Sequence, residues 1–383
     1  MPPSTPPPLA GRLTDWFLST AAWLTTPLAP DDYLGLIDPL LSARHPAGRI
    51  IAVRPEGPSA ATLVIRPGRG WAGHRAGQYL PVGVALDGVR HWRTYSLTSP
   101  PGGPGAALTI TVKADREGRV SPRLVHRTRP GTVLRLGPAQ GDFVLTDPPP
   151  RRMLMVSAGS GITPVMGMLR TLLKRHPRQS GRPDVVLLHS APTPQEFLFR
   201  AELREMAVRL PWFRLHERHT RPRPCPAGPA EEAPSTQRLS PTDITELCPD
   251  WRARETWACG PPGLLAALEK HWAAAGLTER LHTERFHLTP SRPPHPDAPG
   301  SRVRFARSGI AAESASAVPL LVTGEQAGVP MPYGCRRGIC FGCLVPLLDG
   351  RVRDLRTGEV HGEPGKPIQS CVNTAASPLT LDI

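Results

Sequence analysis

Four cysteines carry the most specific chemistry in this 383-residue chain: Cys335, Cys340 and Cys343 in Tyr333-Gly-Cys-Arg-Arg-Gly-Ile-Cys-Phe-Gly-Cys, and Cys371 in Ile368-Gln-Ser-Cys-Val-Asn. The spacing C-x4-C-x2-C and a distant fourth cysteine suits four-thiolate ligation of a [2Fe-2S] cluster. Two sulfide-bridged irons need two thiolates each, and one tight loop can supply three of them. Four cysteines can also bind zinc tetrahedrally, but zinc ribbons usually present two separate C-x2-C knuckles. Here the loop is padded by Gly334, Gly338 and Gly342, which lets backbone N–H groups turn towards negatively charged sulfur. Such a cluster moves one electron at a time, so electron transfer is the expected work of the chain. Arg336 and Arg337, between the ligands, would raise the potential by their charge or form a docking patch; two exposed loop arginines with neither role are the plainer alternative.

Upstream, His91-Trp-Arg93-Thr94-Tyr95-Ser96 combines an arginine able to grip a phosphate, a tyrosine able to lie on a flavin ring and a serine able to reach its N5 edge. Val112-Lys113 follows, then Gly118-Arg-Val120-Ser121-Pro122, read as a helix start whose free N–H groups suit a pyrophosphate. Ser121 capping a helix with Pro122 at its first position explains the same letters without a ligand. Val156-Ser-Ala-Gly159-Ser-Gly161-Ile-Thr163-Pro164 joins an apolar strand to a helical run. Its glycines permit a tight turn and close backbone approach, Thr163 can cap, and Pro164 suits the first helical turn. Trp257-Ala-Cys259-Gly260-Pro261-Pro262-Gly263 again lies between strand and helix, where a merely buried cysteine is the structural alternative. His282-Thr-Glu284-Arg-Phe286 closes the series.

In this order the elements resemble the ferredoxin–NADP reductase superfamily over about Arg49 to His287, and about Ser301 to Ile383 resembles plant-type ferredoxin domains. The resemblance implies FAD rather than FMN, because the G-x-x-S element would seat a dinucleotide pyrophosphate. It implies cofactor contacts from Arg93, Thr94, Tyr95, Ser96, Val112, Lys113, Gly118, Val120, Ser121, Gly159, Gly161, Thr163 and Pro164. Cys259, Gly260 and Pro261 would border the nicotinamide pocket, and Glu284 and Phe286 would approach the flavin. Ser96, Thr163, Cys259 and Glu284 are the residues expected at the reacting centre. Family members read the adenosine ribose after the second α/β strand, where Ser190 and Arg200 could hold a 2′-phosphate and no carboxylate immediately follows; NADPH is therefore preferred over NADH. The implied route runs from nicotinamide through a flavin, which accepts electron pairs and releases single electrons, to the cluster on Cys335, Cys340, Cys343 and Cys371.

The domain order resembles reductase components of oxygenases and desaturases that carry a C-terminal ferredoxin. The long N-terminal segment and HWRTYSLTSP look most like the electron-transfer partner of acyl-CoA desaturases. A terminal di-iron fatty acyl desaturase is the first expected acceptor, and a hydroxylase or ring-hydroxylating oxygenase the second. A redox sensor, of another class, would not need both nucleotide loops. The two E-x-x-H matches, Glu279–His282 and Glu284–His287, fall around one strand and are not paired elements of the di-iron kind, so the acceptor chemistry must reside in another protein.

These residues require elements to position them. Runs such as Ile50–Val53, 61–65, 108–112 and 132–136, separated by Pro/Gly turns, suggest an antiparallel barrel. Beyond Arg151 strand and helix alternate, as in a parallel α/β domain. The expected fold class is multi-domain β + α/β + α+β: an antiparallel flavin-binding β-barrel, a parallel α/β nucleotide-binding domain and a C-terminal β-grasp ferredoxin domain. The expected divisions are a helical extension at 1–45, the barrel at 46–148, the α/β domain at 149–291, a Pro-rich linker at 292–300 and the ferredoxin domain at 301–383. In the extension Leu13, Trp16, Phe17, Trp23, Leu24 and Leu28 recur at helical spacing, for core packing or for a membrane-bound partner. Pro-rich Arg221–Gln237 reads as a loop within the α/β domain.

Net charge is +14, but residues 301–383 hold nine Lys/Arg against seven Asp/Glu, so +12 lies upstream. That surplus is scattered and no nucleic-acid motif accompanies it, which favours a solvated basic surface. Seven cysteines, an odd number, fit a reducing compartment better than a disulfide framework. With no long apolar run, the expected location is the cytoplasm, in solution or peripheral at a membrane.

Overall fold

The computed structural model describes residues 30–86, 88–103, 105–115, 118–175, 183–221, 238–286, 301–333, 336, 338 and 342–383. The apolar stripe at 13–28, the linker at 292–300, Cys335 and Cys340 lie outside the described residues, as does nearly all of the Pro-rich run at 221–237. A short helix, α1 (Pro30–Ile37), leads into the first sheet. Among the described residues no helix is long and apolar enough to cross a membrane.

Six strands form the first sheet: β1 (Ala47–Pro55), β2 (Ala60–Pro67), β3 (Tyr79–Leu86), β4 (Val89–Ser96), β5 (Leu108–Lys113) and β6 (Val133–Leu136). Their order is β4-β3-β6-β1-β2-β5, with antiparallel pairing throughout. A bridge from Leu97 to Ile110 joins the two outer strands and closes the barrel. Alternation sends Ile50, Leu63, Ile65, Leu80, Ile110 and Val112 inward to a common core, which holds the rim residues in register. Helix α2 (Val120–His126) lies beside β5 and buries Val120 and Leu124.

Five parallel strands make the second sheet: β7 (Arg152–Ala158), β8 (Asp184–Ala191), β9 (Phe213–His219), β10 (Glu255–Cys259) and β11 (Leu281–Glu284). The order β11-β10-β7-β8-β9 reverses direction between β7 and β10, which places a topological switch point at their carboxyl ends. Helices α3 (Ile162–Arg175), α4 (Arg200–Arg209), α5 (Pro241–Leu247) and α6 (Pro262–Ala274) cover it. The strands read as near-continuous apolar runs because both faces are buried: Leu154 and Val156 pack with Trp251 and Trp272, Met153 and Met155 with α3.

Barrel and α/β sheet meet closely. Gly167 of α3 sits so near the Leu97 carbonyl that a Cβ there would collide with backbone. Arg170 donates to the Thr98 carbonyl at 2.9 Å while forking onto Glu202, and the Trp257 indole donates to the Val144 carbonyl at 3.2 Å. Gly167→Ala is therefore expected to cost about 1–3 kcal/mol by overpacking. A urea midpoint equal to the parent's would remove the close-packing argument.

The C-terminal part has a mixed five-stranded sheet in the order β13-β12-β19-β14-β17, from β12 (Ser301–Phe305), β13 (Ile310–Ser314), β14 (Leu344–Asp349), β17 (Pro367–Gln369) and β19 (Leu379–Leu381). Strands β12 and β19 are parallel and helix α7 (Leu320–Gln326) packs against β13, the β-grasp arrangement. Strands β15 (Val352–Asp354), β16 (Val360–His361) and β18 (Asn373–Ala375) form a small second sheet, leaving Cys343 just before β14 and Cys371 between β17 and β18.

Candidate functional site

Two clefts meet between the barrel, the α/β domain and the cysteine loop. The first, of about 680 Å³, is floored by the barrel: Arg93, Thr94, Tyr95 and Ser96 from β4, Thr111 and Lys113 from β5, and the turn into α2 with Gly118, Val120 and Ser121. Thr163, Glu284 and Phe286 reach it from the α/β side and Arg336 from the cysteine loop. The second, of about 750 Å³, lies over the switch point, lined by Gly159, Gly161, Ser190, Gly260 and Pro261, together with Thr220, Arg238 and Gly263. Lys113, Ser160 and Phe286 line both clefts, so the two form one continuous site.

Local chemistry explains these positions. Gly161 brings α3 so close to β10 that a Cβ would strike the Cys259 carbonyl, while Gly159 has φ +56° and Gly263 faces open space. The floor of the second cleft is thus bare backbone at the ends of β7 and β10, suited to close approach by a phosphate. Below it the buried Ser157 hydroxyl and His189 Nδ1 lie 2.8 Å apart, tying β7 to β8. Burial pushes the His189 imidazole down to about 3, so it stays neutral.

Some expected roles are not where the sequence pattern put them. The Thr163 hydroxyl donates to the Ser160 carbonyl at 2.9 Å instead of capping, because a 3-10 turn over Gly159–Gly161 already feeds α3. Ser121 also lies inside the first turn of its helix, with Arg119 at the cap, and its oxygen accepts the Asp115 N–H at 3.1 Å. Val112, Pro164, Cys259 and Arg200 line neither cleft. Strand alternation turns Val112 into the barrel core and leaves Thr111 and Lys113 to the cleft. Pro164 is buried within α3, and Cys259 is 0 % exposed at the end of β10, as the buried-cysteine alternative has it. Arg200 is committed to Glu217 at 2.9 Å, alongside Arg204 at 2.6 Å. Burial would raise the Glu217 carboxyl, but the Arg204 and Arg200 hydrogen bonds outweigh it and hold it below its usual range. Residues missed from sequence include Ser160 and Arg238, while Arg336, read there as a tuning or docking charge, lines the first cleft. Ser160 stood inside a motif already singled out, whereas nothing local marks Arg238.

Lys113 donates to Glu196 at 3.3 Å, a bridge from barrel to α/β domain across the mouth of both clefts. Arg336, at φ +58°, forks onto Glu325, lies 4.8 Å over the Tyr333 ring and lines the first cleft. Tyr333 in turn stands 5.9 Å from His91 of β4, so the cysteine loop is seated on the barrel. Arg336 is thus exposed yet paired within the chain, at the rim of the first cleft. Cys343 and Cys371 are buried with sulfurs 3.1 Å apart, and the Gly338 N–H donates to Cys371 Sγ at 3.3 Å. Converging buried thiols with an N–H aimed at sulfur fit a thiolate-bound cluster. The first cleft likewise offers the donors a flavin nucleotide needs: guanidinium and ammonium for phosphate, an aromatic ring, and hydroxyls at the rim.

Comparison with known proteins agrees with this geometry. Residues 155–270 match the oxidoreductase NAD-binding domain family and residues 304–375 the 2Fe-2S iron-sulfur cluster binding domain family. The chain is 48 % identical to an NADPH oxidoreductase of Mycobacterium tuberculosis over 95 % of its own length and 91 % of that protein's. It is 30 % identical to the stachydrine N-demethylase reductase subunit Stc4 of Rhizobium meliloti, covering 81 % of this chain and 88 % of that one. Among solved structures, phthalate dioxygenase reductase shares the fold with a TM-score of 0.54 at 23 % identity, covering 88 % of this chain and 97 % of that one. The chain belongs to the ferredoxin–NADP reductase superfamily, among the reductases with a C-terminal plant-type [2Fe-2S] domain. It is an NAD(P)H oxidoreductase whose cofactors are FAD and a [2Fe-2S] cluster. When bound, the flavin supplies the conversion between a hydride pair and single electrons, and the protein's part is to orient, exclude water and tune potentials.

Proposed function

We propose that the protein draws electrons from NADPH and delivers them singly to a separate iron-containing acceptor, a di-iron fatty acyl desaturase. The continuity of the two clefts at Lys113, Ser160 and Phe286, with the cysteine loop on the far rim, supports the relay. The divisions 46–148, 149–291 and 301–383 belong to this reading, since each range holds its own sheet or sheets. The desaturase assignment rests on the resemblance of the N-terminal segment and HWRTYSLTSP. A second reading, a monooxygenase acceptor, is favoured by the relatives named as reductase subunits of stachydrine N-demethylase and of the glycine betaine monooxygenase of Chromohalobacter salexigens. Purified protein with NADPH and each class of acceptor separates them: turnover with the desaturase alone supports the first, with the monooxygenase alone the second.

Preference for NADPH is supported by the name of the 48 % identical relative and by the second cleft, whose lining includes Ser190, Thr220 and Arg238. Arg238 lines that cleft and Arg200 does not, which supports Arg238 as the 2′-phosphate ligand. Arg238→Ala is expected to raise the KM for NADPH about tenfold, the loss of one charge-assisted contact, and to leave that for NADH within about twofold. Equal effects on both nucleotides would remove the assignment. Arg200→Ala should leave the ratio of the two KM values unchanged.

A further inference from the structure

Beyond the four cysteines, a second pair of side chains converges on the cluster loop from the β15–β16 hairpin. Asp354 is 7 % exposed and accepts the Arg356 backbone N–H at 2.7 Å and its Nε at 3.0 Å, with Nη2 on the other carboxylate oxygen. Nη1 points the other way and donates to the Gly338 carbonyl at 3.3 Å. The same carbonyl accepts the Gln369 amide at 2.8 Å, and the N–H of Gly338 is the one directed at Cys371 Sγ. Gly338 has φ +71°, and a Cβ on it would lie 2.6 Å from Arg356 Nη1. The guanidinium is within electrostatic reach of Cys371 and Cys343, with its counter-charge on the side away from the Gly338 carbonyl.

We infer that Arg356, held by Asp354, is a positioning residue that sets the reduction potential of the [2Fe-2S] cluster, its charge favouring the reduced state while its bond to Gly338 fixes the N–H aimed at Cys371. Reduction adds one electron and therefore one negative charge to a buried thiolate set, and a nearby cation stabilises that charge more than it stabilises the oxidised form. The carboxylate acts in the opposite sense from farther away. Asp354 and Arg356 thus form an oriented ion pair with its positive end towards sulfur. Arg336 is the other described cation of the loop, but its partner Glu325 and the Tyr333 ring turn it to the flavin-side cleft.

The inference depends on the cluster being bound and is independent of which acceptor is served. The test is a dithionite potentiometric titration of the full-length holoprotein, followed by cluster absorbance and EPR without nicotinamide or acceptor. Arg356→Gln is expected to lower the one-electron reduction constant at least tenfold, about 59 mV. Arg356→Lys, which keeps the charge, should stay within threefold of the parent, and Asp354→Asn should shift the constant upward. A constant within twofold of the parent for Arg356→Gln, or shifts of the same sign for Arg356→Gln and Asp354→Asn, would overturn the proposal. Should Arg356→Gln not retain iron and sulfide, Asp354→Asn decides alone: an upward shift supports it, and no shift or a downward one rejects it. A parent protein without a cluster EPR signal on reduction would instead count against cluster binding itself.

Discussion

Cys371→Ser is expected to abolish cytochrome c reduction, with a loss of at least about 100-fold, while NADPH-dependent reduction of ferricyanide stays within about threefold of the parent. Cys371 is buried between β17 and β18, 3.1 Å from Cys343 Sγ and bonded by the Gly338 N–H, so a serine there removes a thiolate and, by its shorter C–O bond, draws the acceptor back from that N–H. The clefts that would hold flavin and nicotinamide draw none of their lining from Cys371. Entry of electrons should therefore survive while their exit through the cluster stops. Small acceptors that take electrons from flavin report the entry, and loss of iron and sulfide from the purified variant reports the exit. Equal loss of both activities would show instead that the C-terminal part supports the flavin site structurally.

Arg254→Met is expected to cost about 3 kcal/mol of stability at pH 7, the largest stability effect anticipated from a single side chain outside the clefts. The arginine side chain is 1 % exposed and spans three elements: Nε to Asp250 at 2.8 Å, Nη1 to the carbonyls of Met153 and Asp184 at 3.2 and 3.0 Å, and Nη2 to the Asp184 carboxylate. Removing it takes one donor from each of two carbonyls in β7 and β8. Asp184 and Asp250 are each about 40 % exposed and can rehydrate, which keeps the cost at the low end for a broken buried pair. Burial would raise the Asp184 carboxyl, but hydrogen bonds from Arg254 and Arg214 outweigh it; the Arg254 hydrogen bond leads in holding Asp250 below its ordinary value. Depressed folded-state values mean that this contribution is present above the unfolded carboxylate value of about 3.9 and is lost as pH falls through the folded values. The parent should thus lose more stability than the variant between pH 6 and pH 3. Urea melts at the two pH values measure the difference, and a loss below about 1 kcal/mol at pH 7 would contradict the network's role.

The sequence by itself determined the class of chemistry and the order of the parts. Two of the nucleotide elements are a strand, a turn and a helix within about ten residues and the third is the end of a single strand, so Gly159-Ser-Gly161, Cys259-Gly260-Pro261 and Arg93-Thr-Tyr95-Ser96 are legible from covalent neighbours alone. Gly161 declares a position where a Cβ would meet backbone, at the Cys259 carbonyl. Strand alternation could have separated Val112 from Thr111 and Lys113, because period two is a local property.

What only the tertiary structure decided is which long side chains are already engaged. A linear reading points to Arg200 as the phosphate ligand and leaves Arg238 unmarked, and it is Glu217, 17 residues away on β9, that claims Arg200. Arg356 is an ordinary turn arginine until the hairpin folds back and sets it against Gly338, 18 residues upstream. A flexible cation reaches several partners at similar cost, so its commitment depends on which carboxylate or carbonyl the fold brings within about 3 Å. The four cysteines specify a cluster through spacing alone; the pair that we propose tunes it exists only once β15, the cysteine loop and the Cys371 turn share one corner of the molecule.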